Sequence, residues 1–238
     1  LAGVSVLFVV RSFSGTGAQP IRFRQIISHL KEEYDIHVLE LTHGSPGVRE
    51  ENGITIHSIV YSRIGRIINP PNRSSSGAQS QTGSAGSTIN PANRASSTAP
   101  VRRSSKSRRL AALKRHIRSL FFPDSVITEG ARLRREAVRL TRMHEFSVVV
   151  LSAFPFTVLR CAKALKSFPR TRIILDVGDP FYGNSRNGFF RDLLARRFEA
   201  RHLRFIDSLV VTNEMTRTHY LDTFSHPGPE AVHIVPMG

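Results

Sequence analysis

The sequence predicts a doubly wound α/β fold built on a parallel sheet. Continuous apolar, β-branched runs such as residues 4–10 and 147–153 indicate strands that are buried on both faces. These runs alternate with helical segments, and that alternation is typical of parallel sheets with crossover helices. Hydrophobic residues make up 40% of the 238 residues, so we expect 1–238 to form one domain with a substantial core.

The first half opens with a strand–helix–strand unit. Residues 4–10 form the first predicted strand, and Pro20 suits the first turn of a helix that runs to about Glu33. Residues 35–41 and 54–60 form the next two predicted strands. This order, with a short link into the helix, is typical of a doubly wound sheet.

Residues 69–107 break the pattern. They are rich in Ser, Gly, Asn, Pro, Ala and Arg and contain no aromatic residue, so they cannot bury enough apolar surface to offset the entropy of ordering. We predict a disordered insertion in one loop. From Asn52 to Pro123 there are twelve basic residues and no acidic one, which places most of the net charge of +16 in this part of the chain.

Strand and helix alternate again through the second half. A basic amphipathic helix begins at Arg108 and ends at Pro123. The further predicted helices cover about 129–142, 157–167, 189–204 and 214–224. The further predicted strands cover 147–153, 172–178, 207–212 and 232–236.

A glycine loop at residues 14–20 follows the first predicted strand. Parallel sheets bind ligands at the carboxyl ends of their strands. Glycines there let the backbone approach a phosphate, and the next helix offers N–H groups and a positive dipole. Two other interpretations stay open. The loop could merely turn the chain, or it could be a poor dinucleotide fingerprint, with Pro20 at the third glycine position and Glu40 as the ribose-binding acid.

Two carboxylates end the strand at 172–178. Asp176 and Asp179 lie where a buried strand meets the sheet edge, and a carboxylate there costs free energy unless it is hydrogen-bonded or wet. Both are candidates to bind a sugar hydroxyl or to act as a base. The alternative for Asp179 is an Asx turn before Pro180.

Two more strand-to-helix turns carry candidate binding residues. Thr212, Asn213 and Glu214 follow the strand at 207–212, although helix capping alone explains Asn213 and Glu214. Ser152 begins the turn at 152–157. The phenylalanines of this turn could line the base of a pocket or pack in the core.

Several classes of site are excluded or not expected. The single cysteine, Cys161, rules out an internal disulfide and a cysteine-based zinc site. The ten histidines show no HExxH or H-x-H spacing, so we expect no metal. There is no G-x-S-x-G elbow and no Walker lysine after a glycine loop. No apolar run approaches the ~18 residues of a membrane span, and no signal segment is present.

An ordered series of segments resembles the N-terminal domain of glycosyltransferase family 4, the retaining GT-B sugar transferases. The matching segments are GTGAQP (15–20), DIHVLEL (35–41), FFPDSVITEGARLRREAVRL (121–140), SVVVLSAFPFTVLRCAKAL (147–165), IILDVGDPF (173–181), FIDSLVVTNEMTRTHYLDTF (205–224) and VHIVPMG (232–238). They cover nearly all of the chain except about 62–107. Met237 stands where the family usually has Asn, and Gly178 and Asp179 stand where many members have a histidine.

The resemblance implies one Rossmann-like half of a two-domain enzyme with no metal or other cofactor. This half would bind a glycan or lipid-linked acceptor, and the backbone at Gly15, Thr16 and Gly17 would approach the diphosphate of a nucleotide sugar. The donor-binding half is expected to be absent here, so 1–238 alone should show little turnover. The implied process is polysaccharide or glycolipid synthesis at the cell surface.

The basic window suggests a partner of its own. Residues 94–118 could bind an anionic membrane surface, which would place a cytoplasmic enzyme peripherally on the inner membrane face; a solvated loop is the open alternative. A nucleic-acid-binding module would also explain the charge. It is disfavoured because no aromatic residue lies between Tyr61 and Phe121 for bases to stack on. An NAD(P)-binding oxidoreductase is the remaining alternative.

Overall fold

The computed structural model describes residues 4–71, 121–185 and 187–236. Most of the predicted insertion, the basic helix from Arg108 and the 94–118 surface lie outside these residues, as does Met237. The insertion was predicted to begin at residue 69, and only residues 69–71 of it are described. Asn69 is buried and exchanges hydrogen bonds with Ser125, donating to its carbonyl at 2.9 Å and accepting from its hydroxyl at 2.7 Å.

The predicted fold class is confirmed, since the described strands form one eight-stranded sheet that is parallel except at one edge. Its spatial order is β3-β4-β2-β1-β5-β6-β7-β8. The strands are β1 (Ser5–Val9), β2 (Asp35–Thr42), β3 (Gly47–Glu51), β4 (Ile54–Val60), β5 (Val148–Ser152), β6 (Arg172–Val177), β7 (Ser208–Val211) and β8 (Val232–Ile234). β3 alone runs antiparallel to its neighbour.

Helices accompany the sheet along the chain. The α-helices are α1 (Ala18–Leu30), α2 (Arg63–Ile68), α3 (Gly130–His144), α4 (Ala162–Leu165), α5 (Phe189–Leu203) and α6 (Glu214–Thr223). Short 3₁₀ helices cover Ile127–Glu129, Phe156–Cys161 and Pro229–Ala231. None of the described helices is both long and apolar enough to cross a bilayer.

Alternating side chains divide the core between the two faces of the sheet. In β2, Ile36 and Val38 join a cluster with Phe23 and Ile27 of α1. Leu39, on the opposite face, joins a larger cluster that includes residues of α3, α4 and α5. Period-two alternation along a doubly covered strand produces this arrangement.

Three local features differ from the sequence prediction. The helix expected at 157–167 begins as the 3₁₀ helix Phe156–Cys161 and continues as the short α4, and the β-branched Thr157 and Val158 at its start disfavour an α-helix. The β3–β4 hairpin was not predicted, although its turn residues Asn52 and Gly53, with φ of 54° and 77°, carry the usual hairpin signal. Helix α2 was also missed.

Candidate functional site

The glycine loop between β1 and α1 is fixed through its backbone. The Phe13 N–H donates to a Glu40 carboxylate oxygen at 2.8 Å. From the other side, the Arg24 guanidinium donates to the carbonyls of Phe13 (2.6 Å) and Gly15 (2.8 Å). Two charged side chains therefore hold the loop against the end of the sheet.

Glu40 has a different role from the ribose-binding one considered above. Its carboxylate is buried and accepts hydrogen bonds from the Arg49 guanidinium at 3.0 Å and the Ser58 hydroxyl at 3.1 Å, in addition to the Phe13 N–H. Because its oxygens are taken up by protein donors, the geometry favours Glu40 as an anchor of the loop.

The N-terminus of α1 is exposed and has no side-chain cap. Gly17 is the N-cap residue, with φ −73° and ψ 165°, and the first turn contains no acidic residue. A Cβ added at Gly17 would contact only Pro20 Cδ, at 3.7 Å, whereas one at Gly15 would lie 3.2 Å from Ser12 Oγ. A side chain at Gly15 would thus need Ser12 or Pro20 to shift slightly, while nothing in the local backbone requires Gly17. The N–H groups of Ala18 and Gln19 can receive an anion, whereas Pro20 has no N–H and the Ile21 N–H already donates to the Gly17 carbonyl.

Ser152 and Asp176 lie at the ends of β5 and β6, next to the glycine loop, and both are buried. Side chains of α1 reach them: Gln19 donates to the Ser152 hydroxyl, and Arg22 forms an ion pair with the Asp176 carboxylate. Burial raises the pKa of Asp176, and the Arg22 guanidinium opposes that rise. Asp179, three residues further on, is exposed.

The turn after β7 is organised by capping. The Asn213 side-chain oxygen accepts from the Thr216 N–H at 2.8 Å, so the capping interpretation is confirmed. Asn213 also donates to the Thr212 hydroxyl (3.1 Å), which in turn donates to the Gly178 carbonyl at 3.1 Å. Glu214 pairs with Arg217 along the helix.

The predicted site residues therefore come together at one edge. β1, β5, β6 and β7 are consecutive in the sheet and parallel, so their carboxyl ends adjoin. The hydrogen bonds of Gln19, Arg22 and Thr212 connect these ends directly. The exposed groups are the backbone at Thr16 and Gly17 and the side chains of Asp179, Asn213 and Glu214.

Sequence reasoning missed the residues of α1 that support this edge. Gln19, Arg22 and Arg24 fall in the first two turns of the helix, and Arg22 is buried. The signal was a set of polar residues on a helix that directly follows the glycine loop, but only the fold shows that they point along the strand ends.

Comparison with known proteins supports the fold alone. No protein-family profile matches the chain, and no curated protein matches it. Among solved structures, sucrose-phosphate synthase from Thermosynechococcus elongatus is similar, with a TM-score of 0.58 and 9% identity over 98% of this chain and 48% of that one. An α,α-trehalose-phosphate synthase (UDP-forming) from Burkholderia vietnamiensis and the trehalose-6-phosphate protein from E. coli bound with UDP-2-fluoro glucose each match with TM-score 0.47 and 12% identity, over 92% of this chain and 42% of theirs.

The chain spans about half the length of these matched structures. Its parallel, doubly wound sheet has the architecture of the Rossmann-like half of a GT-B fold. The comparison therefore establishes the class of fold.

Proposed function

We propose that this chain is the acceptor-side half of a glycosyltransferase, an enzyme that transfers a sugar from a nucleotide sugar to a glycan or lipid-linked acceptor. One observation carries the proposal. Almost the whole chain superposes on about half of a sucrose-phosphate synthase, and the exposed N-terminus of α1 lies at the edge where such sheets bind ligands. A second α/β domain would supply the donor site.

In this proposal, the glycine loop faces the leaving diphosphate. The N–H groups around Gly17 are uncapped, and the dipole of the 13-residue α1 adds partial positive charge. Preorganised donors aimed at developing negative charge lower the barrier to departure of the diphosphate. Arg24 and Glu40 keep the glycine loop in position, because their side chains bind its backbone.

The acceptor would lie against the exposed polar groups of the later strand ends. Asp179 is exposed and can orient a sugar hydroxyl towards the anomeric carbon. Asn213 is exposed as well, but its oxygen caps α6 and its amide donates to Thr212, so only its second amide hydrogen can reach an acceptor. Asp176 is buried against Arg22, so we assign it a positioning role rather than contact with the acceptor. Retention of anomeric configuration and membership of family 4 remain part of the proposal, resting on the sequence resemblance.

The geometry gives less support to the nicotinamide alternative. A nicotinamide dinucleotide site needs a free acidic group at the end of β2, whereas the Glu40 carboxylate already accepts three protein hydrogen bonds. The nucleic-acid alternative draws on the basic window, whose residues lie mainly outside the described part of the chain, and a salt-titrated DNA-binding assay tests it.

A ligand comparison tests the proposal. The complete gene product that contains this chain is expected to release nucleoside diphosphate from one member of a nucleotide-sugar panel when a lipid or glycan acceptor extract is added. The chain alone should show little turnover, and NADH or NADPH should not raise its melting temperature. Protection by a nicotinamide dinucleotide, with no sugar transfer by the complete protein, would replace this function with the oxidoreductase alternative.

We also propose that one helical face contacts an anionic membrane, which would bring the enzyme to a lipid-linked acceptor on the cytoplasmic side. Phe189 and Phe190 at the start of α5 are each 80% exposed. A groove of about 770 Å³ beside α5 is lined by basic residues of four helical segments, namely Arg134, Arg160, Lys163, Arg197 and Arg201. α5 therefore carries exposed apolar side chains at its start and part of a basic groove further along, and both features suit contact with an anionic lipid headgroup layer.

Vesicle sedimentation tests this contact. The protein should sediment with phosphatidylglycerol vesicles in low salt but not with phosphatidylcholine vesicles, and the double variant Phe189→Ser/Phe190→Ser should sediment less. Phe154→Ser is the matched control, because Phe154 is 60% exposed at the sheet edge instead. Equal loss of binding in the control and the double variant would refute the assignment of this face.

A further inference from the structure

Three histidines that are far apart in the sequence meet on one face of the sheet. His37 lies in β2, His57 in β4 and His144 at the last position of α3. One ring nitrogen from each lies within 4.8 Å of the other two. His37 and His57 are buried and His144 is half-buried. From the geometry of this histidine cluster we propose a zinc-binding site formed by His37, His57 and His144.

The distances are close to those of a metal centre. Two imidazole nitrogens bound to tetrahedral zinc at about 2.0–2.1 Å lie roughly 3.3 Å apart. His37 Nδ1 and His57 Nε2 are 3.0 Å apart, and the ring centroids of His37 and His144 are 4.4 Å apart. The ring centroids of His57 and His144 are 6.1 Å apart, so the His144 ring must rotate towards the other two to place its nitrogen on the same ion.

A carboxylate is placed to orient the first ligand. His37 Nε2 lies 3.2 Å from Asp35 Oδ2, which leaves His37 Nδ1 directed at His57. Metal-bound histidines commonly donate their second nitrogen to a carboxylate, which fixes the tautomer and increases the basicity of the ligand. Asp35 also supplies negative charge next to the proposed cation.

His57 would bind the ion through Nε2, the nitrogen that lies 3.0 Å from His37 Nδ1. Its other nitrogen, Nδ1, is buried and has no hydrogen-bond partner among the described residues, so no group of the described residues fixes the tautomer of this ring. A groove of about 330 Å³ that His57 lines offers a path for an ion. Glu136 lies on that groove, but Arg139 binds both of its carboxylate oxygens, at 2.6 and 3.0 Å. The fourth position of the metal is therefore assigned to solvent or to an external ligand.

The histidine cluster is separate from the proposed sugar-handling edge. α3 ends at His144 and β5 begins at Val148, so the cluster lies towards the amino ends of the central strands. The glycine loop lies at their carboxyl ends. An ion here would join β2, β4 and α3 and stabilise the sheet without entering the transfer chemistry, so the site does not depend on the proposed function.

Metal titration of the full 238-residue chain, freed of any affinity tag, tests the site. Co²⁺ should bind with a stoichiometry of one and give the intense visible absorption of a four-coordinate site. Zn²⁺ should displace it and raise the melting temperature. His57→Gln and His144→Gln should each abolish the absorption, and Asp35→Asn should weaken Zn²⁺ affinity by about tenfold or more.

His29→Gln is the matched control, since His29 is exposed in the last turn of α1 and should bind Co²⁺ like the wild type. Far-ultraviolet circular dichroism establishes that each variant is folded. Absence of a four-coordinate Co²⁺ spectrum in the folded wild type would overturn the proposal. So would a spectrum that persists in both folded glutamine variants.

Discussion

At the residue scale, the candidate site depends on charged side chains that hold the backbone or one another. Arg24 binds two carbonyls of the glycine loop, and Arg22 joins Asp176 to the carbonyl of Val235 at 3.1 Å. Arg22 and Asp176 are 6% and 5% exposed in their side chains. A buried ion pair of this kind adds little to the net stability of the fold. Removing one partner lowers the stability strongly, because it leaves an uncompensated buried charge.

A double-mutant cycle tests this view of Arg22 and Asp176. Arg22→Met should lower the free energy of unfolding by about 3–5 kcal/mol, because it leaves a buried carboxylate without its partner. Adding Asp176→Asn should recover part of that loss, since the uncompensated charge is gone. Urea denaturation of the two single variants and the double variant measures the coupling, and strictly additive losses would contradict a direct ion pair.

The positions of the site residues could be predicted from the sequence, but their contacts could not. Asp176 and Ser152 were correctly placed at strand ends, because strand boundaries follow from apolar runs. Their burial and their partners could not be predicted, since Arg22 and Gln19 are more than a hundred residues away in the chain. Local patterns carry no information about such pairings. The histidine cluster was not predicted from the sequence for the same reason.

At the element scale, the strands and long helices were largely predictable from the sequence. β1, β2 and β4 match the expected boundaries to within a residue or two, because buried parallel strands form continuous apolar runs. β3 was missed because its five residues are all exposed and it carries no apolar signal apart from Val48. Only its Asn52–Gly53 turn could have revealed it.

Helix α5 holds a buried acid that makes stability depend on pH. The Glu199 carboxylate accepts from the Tyr220 hydroxyl at 2.6 Å and the Tyr182 N–H at 2.7 Å. Burial outweighs these bonds and raises the pKa of Glu199 from 4.5 to about 7. The folded protein thus keeps a proton that the unfolded chain releases. The stabilisation that comes from this retained proton is complete below about pH 4.5 and is lost as the pH rises to about 7.

Glu199→Gln should remove this dependence. Relative to the wild type, the variant should gain free energy of unfolding on the order of 3 kcal/mol between pH 4.5 and pH 7.5, because glutamine stays neutral throughout. Urea denaturation at the two pH values measures the difference. Glu214→Gln, at an exposed position of α6, serves as the control, and an unchanged pH dependence in Glu199→Gln would contradict the assignment.

At the scale of the whole molecule, the chain presents one polar edge of a parallel sheet. The glycine loop, the turn after β6 and the cap of α6 meet there because β1, β5, β6 and β7 are consecutive and parallel. The sequence resemblance predicted this arrangement, and the eight-stranded sheet confirms the fold that it implied. The substrate, the second domain and the membrane contact are proposals for the transfer and sedimentation experiments to test.

The most direct measurement is nucleotide-sugar transfer by the complete gene product carrying Gly17→Asp or Gly17→Asn. An aspartate or asparagine at position 17 can cap α1 only through the Gln19 N–H, because Pro20 has none. The contact of a Cβ at Gly17 with Pro20 is an ordinary one, so both variants should fold like the wild type. If the loop faces a diphosphate, the aspartate should reduce transfer by about tenfold or more, equivalent to about 1.4 kcal/mol, while the neutral asparagine retains most of it. Equal activity in the two variants would contradict the central claim that this helix N-terminus receives the donor diphosphate.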